Sequence, residues 1–324
     1  MNKKNTLKLY SEKKKQLLNL FKSNNIKGLY EPMHYIFNSG GKNIRPFFLI
    51  LIYKYYGGKG ASINYIALAI QTLHNFTLIH DDIMDESVKR RGQLTVHKKW
   101  DINTAILSGD ALMIYSYNLL CSARFGQEKK IFQLFSKTAI NICEGQQIDM
   151  DFQKKQKVHV EDYINMINLK TGALFSFAFK IGPMLMGFSQ KEQKKMCDLG
   201  VLLGQLFQIQ DDYLDLYGGR KVGKQKGLDV FDAKKTYLVV IFYEIASNLD
   251  IKIFETIFYS KNNFSKKLSV VENLFEKYDI KERVRIKIRE LRKKIDLIIN
   301  KAIFSESRKK QLKNYIKLLS NRDC

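Results

Sequence analysis

Only three prolines, Pro32, Pro46 and Pro183, interrupt this 324-residue chain, so long stretches carry no helix breaker. A convincing series of alternating strands is missing too, which argues against a sheet-built fold. Apolar residues recur instead at spacings of three and four, as at Tyr10, Leu17, Leu18 and Phe21, and the expectation is an all-α protein. Cysteines are few: Cys121, Cys143, Cys197 and Cys324. They show no metal-binding spacing and lie in apolar helical surroundings, so they read as reduced core thiols of a cytosolic protein. The most apolar window, PFFLILIYKYYGG, runs for about eleven residues before Gly57 and Gly58, holds Lys54, and is too short to span a bilayer. The basic start MNKKNTLKLYSEKKKQ has no apolar stretch, so no signal peptide is read there.

Acids are outnumbered, 32 Asp and Glu against 55 Lys and Arg, for a formal net charge of +23. Such an excess usually prompts a nucleic-acid reading. Here the lysines are scattered, and the densest portion alternates with apolar residues at helical period. No interleaved aromatics, zinc spacing or recognition-helix pattern accompanies them, so no nucleic-acid partner is expected. A basic surface would attract anionic substrates or rest weakly against anionic lipid.

The scarce acids concentrate in DDIMD, where Asp81 and Asp85 stand four apart and share one face of a helix. Like charges at that spacing repel, and Asp is a weak helix former, so something outside must compensate. Mg²⁺ suits this role, because it takes one or two carboxylates and keeps its other positions for water and substrate phosphates. Lys89, Arg90 and Arg91 follow at once, and arginine matches phosphate oxygens bidentately. One such run arises by chance often enough to be a weak signal. A second, DDYLD at Asp211, Asp212 and Asp215, also lies in an apolar run, and the pair points to a metal-bridged diphosphate.

Other polar residues are set in apolar or glycine-rich contexts. SGGKNIRP places Gly40 and Gly41 beside Lys42 and Arg45, with Pro46 suited to the first turn of a helix. A helix over 63 to 85 is apolar on nearly every side, as a buried central helix would be, and puts His74 two turns before Asp81. Asp101 is a plausible helix cap, and Gln146 and Asp149 are expected to support neighbouring helices or the site. Lys170, Thr171 and Gly172 interrupt an apolar helix near 163 to 181. Gln208 lies one turn before the second acidic run. In GGRKVGKQKGLDVFDAKKTY, Lys224 and Lys234 can reach back to phosphate, with Asp229 placed to orient one of them.

GGKNIRP, HNFTLIHDDIMD, KRRGQLTVH, LKTGALF, FQIQDDYLDLYG and GKQKGLDVFDAKKTY stand in an order and spacing that resembles the trans-type isoprenyl diphosphate synthases, the polyprenyl synthetase family, and most of all its geranylgeranyl and farnesyl diphosphate synthases. The match spans roughly residues 38 to 240. The resemblance implies one all-helical domain over 1–324, the isoprenoid synthase fold: a bundle of long helices around a deep cavity, dimeric, with the acidic motifs facing each other across its mouth. It implies Mg²⁺-dependent head-to-tail prenyl transfer, with three Mg²⁺ ions per site held by Asp81, Asp85 and Asp211. Arg90, Lys170, Thr171, Gln208, Lys224 and Lys234 would act on the allylic diphosphate. Lys42, Arg45, His74 and Arg91 would bind isopentenyl diphosphate, and Asp82, Asp212 and Asp215 would act indirectly. Leu73, Phe76 and Thr77 would limit chain length. One aromatic followed by a small residue resembles makers of the twenty-carbon geranylgeranyl product, with farnesyl next and longer chains third. Asn43 and Leu94 depart from the family's frequent Arg and Pro.

Three alternatives share the scaffold. A longer-chain polyprenyl synthase would differ in the floor of the cavity. A class I terpene cyclase would not need the second basic pocket of Lys42, Arg45, His74 and Arg91, and a non-catalytic subunit of a heteromeric synthase would be expected to have lost an acidic motif. The expected protein is a cytoplasmic homodimer with no transmembrane segment.

Overall fold

A computed structural model describes residues 3–218, 226–260 and 264–320. The described chain is helical along nearly its whole length, as expected: α1 Lys3–Thr6, α2 Lys8–Ser23, α3 Lys27–Asn38, α4 Ile44–Tyr55 and α5 Ile63–Met84 come first. A hairpin of β1 Lys89–Arg90 and β2 Gln93–Leu94 follows, then α6 Val96–Lys99, α7 Ile102–Cys121, α8 Glu128–Lys154 and α9 Val160–Ile167. A π-helical segment, Asn168–Gly172, leads into α10 Ala173–Leu185, α11 Gln190–Tyr217, α12 Leu228–Phe231 and α13 Tyr237–Ile245. α14 Asn248–Phe258, α15 Phe264–Lys277, α16 Ile280–Asn300 and α17 Glu306–Ser320 complete the order. No helix among the described residues is long and apolar enough to cross a membrane.

The chain divides into two compact units. The first holds the residues up to Ile140 together with Leu174–Cys197. Its centre is α5, whose Ile66, Ala67, Ala69, Ile70 and Leu73 are all 0% exposed, as a helix apolar on most sides requires. α7 packs along α5, and Gly109 makes that contact close, since a Cβ there would fall 2.3 Å from the His80 ring. Asp101 caps α7 as expected, accepting from the Thr104 N–H at 2.8 Å. α2 buries Tyr10, Leu17 and Phe21, one stripe of an amphipathic helix.

The second unit holds Asn141–Ala173 and the residues from Asp198 on. Its core includes an aromatic cluster in which Phe254 stacks with Phe258 and Phe275 at 4.6 and 6.0 Å. Three of the thiols correct the sequence expectation of core cysteines, Cys121 and Cys143 being exposed and Cys197 half-buried, while Cys324 lies outside the described residues. An amphipathic helix places some apolar residues on its solvent side, and apolar neighbours in sequence do not decide which side a cysteine takes.

Asp250, in the first turn of α14, ties three segments together. It accepts from Ser247 Oγ and Lys277 Nζ, both at 2.8 Å, and from the Tyr278 hydroxyl. These donors, Lys277 first, hold its carboxyl down at about 2, against an ordinary 3.8. A carboxylate held down in the folded state contributes stability above its unfolded value and loses it as pH falls from about 4 towards 2. Asp250→Asn should therefore lower the melting temperature at pH 7 by a few degrees. In thermal melts against pH, the gap from the parent should close between pH 4 and 2.

Candidate active site

Both acidic runs lie at the C-terminal ends of long helices, where the unpaired carbonyls already carry partial negative charge. In the first unit Asp81 and Asp82 fall in the last turn of α5, and Asp85 is its cap residue, with its N–H on the Asp81 carbonyl at 2.9 Å. Arg90 answers this charge. Its Nε donates to Asp82 Oδ1 at 2.8 Å and a terminal nitrogen donates to Asp81 Oδ2 at 3.2 Å. Asp82 is 1% exposed, and burial pushes its carboxyl up to about 6 against the pull of Arg90. It anchors the arginine from within, while Asp81 and Asp85 remain half-buried.

The hairpin that carries Arg90 was not foreseen in the sequence. Lys89 pairs with Leu94 and Arg90 with Gln93, leaving Arg91 and Gly92 as a two-residue turn with φ of 53° and 79°. Two positive φ values are what such a tight hairpin demands. The turn sends neighbouring arginines to different partners. Arg90 goes to the acids, and Arg91 donates to the Gly40 carbonyl. Gly41, at φ 134°, admits that side chain: a Cβ there would stand 2.8 Å from an Arg91 nitrogen. Asn43 follows in the left-handed region at φ 46°, which a short amide tolerates better than the arginine the family often has there.

Arg45, in the first turn of α4, donates to His74 Nε2 at 3.2 Å and lies 4.6 Å over the Phe175 ring. Burial, then Arg45, Arg91 and Arg90, drive the His74 pKa well below its ordinary value. His74 is thus a neutral acceptor that orients Arg45, in a basic cluster with Arg91. Lys42 is exposed beside them. On the same helix Leu73 is 0% and Phe76 8% exposed, and Thr77 donates to the His74 carbonyl at 2.9 Å. The Phe76 ring meets His80 edge-on at 4.7 Å, and His80 stands 3.6 Å from Asp110 of α7.

In the second unit Asp211 is exposed and Asp212 is 5% exposed. Asp212 accepts from the Tyr163 hydroxyl, the Tyr237 N–H at 2.8 Å and Gln208 Nε2 at 3.0 Å. Burial and then the Asp229 charge push its carboxyl up to about 7, with those three donors pulling the other way. Gln208 accepts from Thr171 at 3.0 Å, so its amide joins the hydroxyl to the acid. Asp215 accepts from the Asp229 N–H at 3.1 Å, and the Asp229 carbonyl accepts from the Lys234 N–H at 2.9 Å. Lys224 lies outside the described residues.

Lys170 and Thr171 sit in the π-helical segment, and Lys170 pairs with Asp149 at 2.6 Å. Asp149 is thus a support, as expected, whereas the buried Gln146 amide nitrogen has no hydrogen-bond partner in the described structure. π turns are uncommon and concentrate at functional sites. This one is held by close approach on two sides. A Cβ at Gly145 would fall 2.3 Å from the Lys170 N, and one at Gly204 would fall 2.5 Å from the Gly172 Cα. Sequence reasoning missed Tyr163, which no local signal marks. It also passed over Gly145 and Gly204, although glycine inside an apolar helical pattern is a signal of close packing.

The polyprenyl synthetase family model matches residues 26–277. The chain belongs to this family. The chain is 36% identical over 263 residues to the geranylgeranyl diphosphate synthase of Sulfolobus acidocaldarius, covering 80% of each. It is 38% identical over 225 residues to the geranylfarnesyl diphosphate synthase of Aeropyrum pernix, covering 67% of this chain and 71% of the relative. The crystal structure of geranylgeranyl pyrophosphate synthetase from Pyrococcus horikoshii superimposes with a TM-score of 0.90 at 32% identity, covering 99% of this chain and 97% of that one. Family membership makes the chain a prenyltransferase and bears out the all-α fold.

Gly145→Ala should disturb the π segment, lowering stability by about 1–3 kcal/mol through overpacking. Turnover should drop with it, because Lys170 and Thr171 move. Gly28→Ala is the control: nothing lies within 4 Å of its Cβ position, and alanine in α3 should be neutral or stabilising by about 1 kcal/mol. Thermal melts and turnover of both variants check the contrast, and equal melting temperatures would remove the packing argument.

Proposed function

We propose that the chain catalyses head-to-tail condensation of isopentenyl diphosphate with an allylic diphosphate, giving a short-chain trans-prenyl diphosphate. Geranylgeranyl is the favoured product, with farnesyl next. The observation that carries this reading is the hairpin, which commits Arg90 to the acids of α5 and Arg91 to the glycine loop beside Arg45. Two basic centres suit two diphosphates. A terpene cyclase needs one, and a non-catalytic subunit has no reason to keep both acidic runs.

The donor chemistry fits Mg²⁺. No group of three metal-ligating side chains forms among the described residues, but Mg²⁺ needs only one or two carboxylates besides water and substrate phosphate. Asp81, Asp85 and Asp211 would supply them, with three ions per site. When bound, the metal neutralises charge growing on the departing diphosphate.

The chain's own residues do the rest. Arg90, Lys170, Lys234 and Lys224 direct cationic donors at the allylic diphosphate, whose oxygens gain charge as the carbon–oxygen bond breaks. Thr171 and Gln208 offer oxygen dipoles to the resulting carbocation without presenting a nucleophilic water. Lys42, Arg45 and Arg91 hold isopentenyl diphosphate, with neutral His74 fixing the angle of Arg45. Holding both substrates makes bond formation effectively unimolecular, and the departing pyrophosphate accepts the final proton. Asp82 and Asp212 act through the side chains they orient. The enzyme works as one catalytic domain over 1–324, as a homodimer in the cytoplasm.

The test is incubation with Mg²⁺, labelled isopentenyl diphosphate and a set of allylic primers, followed by chromatography of the dephosphorylated products. A twenty-carbon main product is expected. Asp81→Ala and Asp211→Ala should each lower kcat by at least about 10²–10³, the loss typical when transition-state charge stabilisation is removed. Near-normal rates in either variant at saturating Mg²⁺ would defeat the metal assignment. Arg45→Ala should raise KM for isopentenyl diphosphate more than for the primer, and an equal rise in both would overturn the division into two phosphate sites.

A further inference from the structure

Within the first unit a groove of about 490 Å³ lies at the far end of α4 from the glycine loop. α4 starts beside Gly41, and its cap residue Tyr56 meets Phe188, a wall residue of the groove, at 4.8 Å between ring centres. The 12 residues of α4, at about 1.5 Å of rise each, separate the groove from the loop by roughly 18 Å. None of the residues assigned to prenyl transfer lines it.

Lys130 and Lys137 of α8 and Lys180 of α10 line the groove with the amides of Gln133, Gln190 and Gln193. No carboxylate is in its wall. Lys130 and Lys137 are two helical turns apart, so they share one face of α8. None of the three lysines has an ion-pair or hydrogen-bond partner among the described residues. The nearest acids in sequence, Glu128 and Glu192, are engaged elsewhere: Glu128 accepts from the Phe125 and Gly126 N–H groups at 2.8 and 2.9 Å, and Glu192 accepts from the Tyr56 hydroxyl at 2.7 Å and pairs with Lys195. Three ammonium groups gathered in a concavity without counter-charge raise its positive potential and draw in anions. Lysine meets phosphate oxygens as a point charge, and glutamine amides add donors for further oxygens.

We propose that this groove is a second anion site, which takes a small oligophosphate. The wall is more polar than apolar, although Leu134, Met184 and Phe188 share it, which disfavours a hydrocarbon chain, and the lysines come from two helices, which favours a chain of phosphates over a single one. Two sources share this chemistry: the pyrophosphate released by the proposed reaction, and the phosphate tail of a nucleotide. Only the first source rests on the prenyl-transfer reading. Without a carboxylate in the wall the site needs no divalent metal, which separates it from the acid-lined site.

The full-length protein is titrated calorimetrically in chelator at low salt with pyrophosphate, tripolyphosphate and ATP, and amide hydrogen exchange locates the binding. Saturable binding is expected, with slowed exchange in segments 127–137 and 180–193. Lys130→Gln/Lys137→Gln/Lys180→Gln should weaken it by about tenfold or more, and the corresponding Glu variant should weaken it further. Arg45→Ala/Arg91→Ala should retain it. ATP binding as tightly as tripolyphosphate identifies the nucleotide source, and pyrophosphate binding best identifies the reaction's own product. Three results would each overturn the proposal: no saturable binding below the millimolar range, protection confined to segments 40–45 and 90–91, or unchanged affinity in the lysine variants. Turnover without added oligophosphate should be unchanged in the lysine variants. If the parent protein makes no prenyl diphosphate yet the groove still binds, the prenyl-transfer reading falls and the groove stands.

Discussion

Carboxylates placed where a helix already ends in negative charge are the constraint on which the rest of the structure depends. Asp81, Asp82 and Asp85 close α5, and Asp211, Asp212 and Asp215 stand in the last two turns of α11. Macrodipole and like-charge repulsion oppose both placements. Each run meets the cost in the same way. Its second acid is buried and held by donors, by Arg90 at one oxygen of Asp82 and by Tyr163, Tyr237 and Gln208 at Asp212. The first acid is left at least partly accessible. One aspartate of each run therefore anchors its cluster, while its neighbour stays more accessible.

The same constraint explains why Arg90 bonds to both Asp81 and Asp82. The guanidinium is the counter-charge the helix end requires. A metal ion on Asp81 would supply that charge and lessen the need for Arg90 there, while Asp82 would still tether the side chain close by. A residue that bridges two carboxylates and is proposed to meet diphosphate oxygens has to be always cationic and able to fork, which arginine is and lysine is not.

The helices, both acidic runs, the glycine loop and the basic triplet were legible because each is written in consecutive residues or in a helical period. What escaped was made by distance or by backbone shape. Tyr163 reaches Asp212 across 49 positions, and nothing beside Tyr163 announces it. The hairpin at 89–94 is two residues per strand, too short for any alternation, and its turn is Arg-Gly, where Asn-Gly would have been a plain signal. The triplet KRR showed three cations but not that adjacent arginines would part towards different partners. Lys170 and Thr171 stood out as odd residues in an apolar helix. The reason they are presented together is the π turn, and that turn depends on Gly145 and Gly204, which come from other helices.

Product length is the finest question posed to α5, and its answer involves α7. Phe76 lies about one and a half turns before Asp81, with small Thr77 next to it. Its ring rests against His80, which is held by the Ile106 carbonyl at 3.3 Å and lies 3.6 Å from Asp110. Gly109 lets His80 sit that close. On the proposed reading, a product-length floor at Phe76 would thus be braced from α7. Relatives of similar identity include both a geranylgeranyl and a geranylfarnesyl synthase, so overall likeness does not choose between them. Phe76→Ala should lengthen the products and Thr77→Phe should shorten them. His80→Ala should lengthen them by less, because it loosens the floor without removing it. Chromatography of the three product sets orders these effects, and an unchanged length in Phe76→Ala would move the floor off this face of α5.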